Sequence, residues 1–269
     1  MAFIVDIRRQ AVMQHLMFKA IFEMSKDRAD FISMLFAKPR PANLDSTTPI
    51  QKIWDAFTNV PTDSSLALKN YTRVVERLTK THGFTFTQEE SEMLQSVFEA
   101  FVGYGPAIST RGGGGFGGRG GAGGVTFADL TGWAYDAAGT PQSFLSIEEH
   151  YQTIKTLHEK NLIVPVSGDF GGPKAIRAIG TYLKKQGGVV SAFYVSNVEQ
   201  YLFQDGKNAA FYENVATLPL SPASVFIRPY SMRRGGSGPA QSLCPMAAFV
   251  SAAAGGRVYS NNDALACVR

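Results

Sequence analysis

The chain has 269 residues, enough for one large α/β domain or a domain carrying a sizeable insertion, and 45% of them are hydrophobic, enough for a core. Its net charge of +4, from 26 basic and 22 acidic residues, is too small an excess to argue for nucleic acid. Two cysteines, Cys244 and Cys267, without a CxxC pair or Cys/His ligand spacing, exclude a recognisable zinc site. They give no support to a disulfide framework either.

The first residues, Ala2, Phe3, Ile4, Val5, Asp6 and Ile7, form an apolar β-branched run ending on a carboxylate, and a long helix follows. That pattern matches the second strand of a nucleotide-binding βαβ unit, where the acidic side chain accepts hydrogen bonds from ribose hydroxyls. Asp6 can equally pair with a nearby arginine or cap the helix that begins near Arg8. The first strand and glycine-rich turn of such a unit would precede Ala2. The expectation is therefore a chain that starts one strand late. The apolar run 11–24 is interrupted by Gln14, His15, Lys19 and Glu23. It falls short of the ~20 apolar residues that span a bilayer and reads as a helix buried over most of its surface. Few cysteines and no leader give a cytoplasmic reading, with export open if the chain starts upstream.

Helices are expected next over 30–36, 51–57, 65–80 and 88–102. A capping box of Thr87 and Glu90 opens the last of these, and Gly103 and Gly105 close it. The domain reading that follows has four parts. Residues 1–25 are the second strand and helix of a Rossmann-like domain, 26–105 a helical insertion or cap, 106–124 a flexible Gly-rich loop, and 125–269 the remainder of the domain. The tract 111–124 resembles RGG repeats, but two arginines in one short run give that likeness little weight against a plain surface loop.

The second half alternates strand and helix. Ser146 and Glu149 suggest another capping box, followed by a helix to about Lys160. A buried-type strand covers 162–166, with Pro165 awkward in a central position. Pro173 stands where a helix would begin. A strand is expected over 189–195, Asn197 would cap the next helix, and a further strand covers 224–228. This rhythm predicts an α/β fold: a Rossmann-like, mostly parallel sheet flanked by helices, its first strand missing, with a helical insertion.

In an open parallel sheet, ligands sit beyond the carboxyl ends of the strands. Asp6 and Ile7, then Gly168, Asp169 and Phe170, then Asn197, fall at three such ends and form the candidate binding site. The glycine loop after Ser167 runs into a helix N-terminus but lacks the Gly-Lys-Ser/Thr ending of a phosphate loop. Asp169 reads equally as a turn residue and as a ligand-facing group. His15, His82, His150 and His158 are scattered, no nucleophile elbow occurs, and no catalytic residue is assigned.

Three stretches carry a resemblance: AFIVDIRRQ at 2–10, NLIVPVSGDFGGPKAIRAIG at 161–180 and AFYVSNVEQYLF at 192–203. Together they resemble an uncharacterised bacterial family, of the Leptospira hypothetical-protein type, whose members look like class I S-adenosylmethionine-dependent methyltransferases. The likeness spans nearly the whole chain, with the glycine tract as a departure. It implies a methyltransferase-like fold and S-adenosylmethionine as cofactor, without a metal. It also implies that the Gly-x-Gly loop of the family, which would precede Ala2, is absent, leaving Asp6 as the remaining half of the cofactor site and impairing binding. The alternative is a non-catalytic binding or scaffold protein with a degenerate Rossmann-like fold. A small nucleoside ligand is the expected partner, with no nucleic acid and no membrane span; oligomeric state is undetermined.

Overall fold

The computed structural model describes residues 1–109, 125–132, 135–136, 138–230 and 240–268. The glycine tract at 111–124, and most of the loop expected at 106–124, lie outside the described residues. The chain divides into two compact units. One comprises Met1–Ile4 and Arg8–Pro165, the other Val5–Ile7 and Val166–Arg269.

The first unit is helical. After β1 (Ala2–Asp6), helix α1 (Arg9–Met24) buries Val12, Met13, Leu16, Met17, Ala20, Ile21 and Phe22, nearly its full circumference. A helix apolar all round belongs at the centre of a bundle. Accordingly α2 (Arg28–Phe36), α4 (Ser64–Glu76), α5 (Gln88–Tyr104) and α7 (Glu148–Glu159) all pack on it. Helices α3 (Ile50–Thr58) and α6 (Phe127–Gly132) pack on each other, with Trp54 edge-on to Phe127. Phe22, Phe31, Phe144 and Tyr151 fill the space beside α1 with tilted, stacked and edge-to-face rings.

Two polar devices are buried in this core. Arg28, at the first turn of α2, uses its whole guanidinium: Nε meets Glu148 at 3.1 Å, Nη1 donates to the Leu145 and Ser146 carbonyls, and Nη2 donates to those of Ser46 and Thr48. The polar stripe of α1 turns inward: Lys19 Nζ donates to Glu23 (2.6 Å) and to the His158 carbonyl (2.7 Å). Glu23 also meets His82 Nε2 at 2.7 Å, in the turn that follows the π-helical end of α4 (Arg77–Thr81). Burial pulls the Glu23 carboxyl upward, but the bonds from Lys19 and His82 outweigh it and hold the group below its ordinary range.

The expected capping box at Thr87 and Glu90 forms. That at Ser146 and Glu149 does not: α7 starts after Ile147, and the Ser146 hydroxyl turns back to the Ser143 carbonyl. Strand β2 (Ile163–Ser167) pairs in parallel with β1 as a two-stranded ribbon. Every strand of such a ribbon is an edge, which is why Pro165 is tolerated there.

In the second unit β3 (Val190–Tyr194) runs parallel to β4 (Leu220–Tyr230), and β4 is antiparallel to β5 (Ala240–Pro245). Helices α8 (Ala175–Lys185), α9 (Val198–Gln204), α10 (Asn208–Ala216), α11 (Met246–Ala254) and α12 (Asn261–Leu265) surround it. The core gathers Ile176, Phe211, Val215, Phe226, Met246, Phe249 and Ala252.

The Rossmann-like, mostly parallel sheet is thus overturned. Among the described residues there is a two-stranded parallel ribbon and a separate three-stranded mixed sheet. Two physical causes account for it. Strand β5 pairs with β4 in the antiparallel sense, so that edge of the sheet is not parallel. Among the described residues seven α-helices, not one crossover helix, stand between β1 and β2. The cysteine reading is corrected as well, since Cys244 and Cys267 form a disulfide. Among the described residues, no helix is long and apolar enough to cross a membrane.

Candidate functional site

The expected site residues lie in the second unit. Asp6 and Ile7 end β1, and the Gly168 N–H donates to the Asp6 carbonyl at 2.9 Å, so the ends of β1 and β2 meet. Asp6 is half-buried, whereas Ile7 is 63% exposed.

The loop after β2 is fastened residue by residue. A Cβ on Gly168 would lie 2.4 Å from the Cβ of Ala175, so only glycine lets the strand end pass the start of α8. The Asp169 Oδ1 accepts from the Gly171 N–H (2.9 Å), and Oδ2 pairs with Lys207 Nζ (2.7 Å). The Lys207 ammonium, together with the Gly171 N–H, holds the Asp169 carboxyl below the usual carboxylate range. The same pairing raises Lys207. Phe170 stacks on Phe193 of β3 (centroids 6.4 Å apart) and meets Phe211 edge-on.

Asn214 in α10, 1% exposed, anchors the loop from beneath: its Nδ2 donates to the Phe170 carbonyl (2.9 Å) and the Gly172 carbonyl (2.8 Å). Its Oδ1 accepts from Arg177 Nε at 2.6 Å. Helix α8 begins at Ala175, so Pro173 lies in the loop and not at the helix's first position.

Asn197 occupies the N-cap position of α9, as expected, but its side chain makes no capping bond and is approached by Ser196 Oγ at 3.5 Å. Phe193 links β3 to the loop through Phe170, whereas Asn197 stands apart, exposed, beyond the strand's end. The structure therefore gathers Asp6, Gly168, Asp169 and Phe170 and leaves Asn197 beside another element. Two residues past Asn197, Glu199 receives a bidentate pair from the buried Arg228 (2.7 and 2.8 Å) and a bond from Tyr212 (2.9 Å). The Arg228 guanidinium lies over the rings of Phe226 and Phe249.

Lys207, Asn214, Arg177 and the pair Glu199–Arg228 were not singled out from the sequence. Each is a polar residue within a helix or strand or, for Lys207, just before α10, and no local spacing marks it. As arranged, Asp169 is a fixed anion neutralised by a fixed cation, a positioning group and not a proton donor near neutral pH. Among the described residues, no group of three His, Cys, Asp or Glu side chains could hold a metal ion.

Comparison with known proteins gives one family match, described as "Domain of unknown function (DUF7790)", over residues 132–245. No curated protein matches the chain. The matched segment contains the loop after β2, Asn197 and the whole β3–β4–β5 sheet, and it leaves Asp6 outside.

Proposed function

We propose that the chain binds a small nucleoside-type ligand, of the class of S-adenosylmethionine, beside the loop that brings Gly168 to Asp6. The observation supporting this is the main-chain bond from the Gly168 N–H to the Asp6 carbonyl, which brings the end of β1, with the half-buried Asp6, beside a glycine turn held by Asn214. A carboxylate is an acceptor of the kind that ribose hydroxyls need, and the exposed Ile7 beside it in sequence offers an apolar surface for a base. Titration calorimetry of the full chain with S-adenosylmethionine and with its demethylated product tests the reading. Heat of binding that falls at least tenfold in affinity for Asp6→Ala is expected. No heat with either compound refutes it.

A second reading, binding without catalysis, is favoured by the state of Asp169. Its carboxylate is committed to Lys207 and Gly171 and stays ionised, so this loop presents no acid there. Formation of demethylated product from S-adenosylmethionine by the full chain, in the presence of a cell extract as acceptor and lost in Asp6→Ala, would overturn that second reading. The Cys244–Cys267 disulfide fits surroundings where such a bond persists or is made and broken on demand.

A further inference from the structure

We infer that the Cys244–Cys267 disulfide is a thiol-operated clamp that holds α12 against α9 and lets the C-terminal segment go when reduced. The two cysteines differ in setting. Cys244 sits in β5, fully buried, in register with Phe226 of the central strand β4. Cys267 lies just beyond α12, partly exposed, with φ at +54°, a conformation that helix ends usually give to glycine. The bond joins the two Cα atoms across 5.6 Å and closes 23 residues of chain.

What it fastens is weak without it. Helix α12 has five residues, far fewer than a helix needs to persist on its own. It has its own capping box, Ser260 with Asp263, and it buries Ala264; Val258 is the other buried apolar side chain of the segment. By contrast, α11 drives Met246, Phe249 and Ala252 into the core and packs against β4 and α10. The segment from Arg257 onward is therefore the part that opens, while β4, β5 and α11 stay. Such local opening belongs to elements with few buried apolar contacts. Helix α12 packs on α9, the helix that starts at Asn197 and carries Glu199, so opening uncovers a face of α9.

The chemistry needs a dithiol reductant. One of its thiolates attacks the Sγ of Cys267, the more exposed of the two residues. The S–S bond breaks, a mixed disulfide forms at Cys267, and Cys244 leaves as a thiolate that takes up a proton. The second thiol of the reductant then displaces Cys267, yielding two cysteine thiols and the oxidised reductant.

Hydrogen exchange on the full chain, with and without dithiothreitol, tests the clamp. On reduction, the amides of Ala266, Cys267 and Val268, which bond within the segment, should exchange at least tenfold faster, while Phe226 and Ile227 of β4 keep their protection. Trypsin should cut after Arg257 faster in the reduced protein by a similar factor. Cys267→Ser should show both changes without reductant and should no longer respond to it. If that variant does not fold, the comparison of the native chain with and without dithiothreitol still decides. Unchanged exchange on reduction would overturn the inference, as would equal loss of protection across β4, or free thiols at both positions in protein purified without reductant.

Discussion

Replacing Arg28 by methionine tests how the helical unit is held together. The side chain is 2% exposed, and methionine matches its apolar stem, ends short of the guanidinium and has no donors. The substitution strands four carbonyls, those of Leu145, Ser146, Ser46 and Thr48, and removes the cation paired with Glu148, which keeps its bond from Gln152. Hydrogen bonds to a charged group contribute ~1.5–3 kcal/mol each, and breaking a buried ion pair on one side costs ~3–5 kcal/mol. The loop carbonyls at 46 and 48 regain water, so the sum is not additive, and a loss of about 4 kcal/mol is expected. With a urea slope of ~2 kcal/mol/M, that moves the midpoint down by about 2 M. Tryptophan fluorescence, to which Trp54, buried in the same unit, contributes, follows the transition. Arg28→Lys, which keeps the charge but has three donors on a single nitrogen, should lose more than half as much. A midpoint within ~0.5 M of the native protein for Arg28→Met would refute the reasoning, because it would mean the five bonds hold nothing that water cannot replace.

Burial, with Lys19 beside it, lowers His158 from 6.5 to about 4. The unfolded chain therefore takes up a proton that the folded one refuses, and stability should fall by up to ~3 kcal/mol as pH drops from 6.5 toward 4. In His158→Phe, thermal melts across that window should show a shallower slope, and an unchanged slope would count against the assignment. Gly168→Ala should cost ~1–3 kcal/mol by driving a methyl group onto Ala175, measured by chemical denaturation. Asn214→Ala should cost about 2–4 kcal/mol through two orphaned carbonyls and Arg177. Asp169→Asn should cost less than ~1 kcal/mol, since both it and Lys207 are substantially exposed. Equal losses in these last two would show that the loop is not anchored from beneath.

What could be read along the chain was local. Helices α1 to α5 announce themselves by apolar spacing, and Thr87 with Glu90 marks a helix start because both partners lie within one turn. The strands β1, β2 and β3 are visible as apolar β-branched runs, and the meeting of Asp6 with Gly168 follows from two of them running in parallel. Pairing beyond that is a property of distant segments. The strand–helix rhythm leads to no expectation of a strand over 240–245, although Gly235, Gly236, Gly238 and Pro239 are turn-type residues, and the antiparallel pairing of β5 with β4 is what makes the sheet mixed. The same holds for the candidate site. Asn214 and Lys207 sit 42 and 38 positions from the loop residues they hold, and two cysteines carry no instruction to pair until the fold sets them together.

The bond from the Ala2 N–H to the Leu162 carbonyl, 2.7 Å long, means that the chain leaves the helical unit beside the point where it entered. Closing a loop of that length costs roughly 4–5 kcal/mol of chain entropy before any contact rewards it. The ribbon should therefore form only after α1 and its neighbours have collapsed, making β1–β2 pairing a late event in folding. For the same reason, joining Ala2 to Leu162 by a short linker and opening new termini between α3 and α4 should yield a permuted helical unit with its core intact.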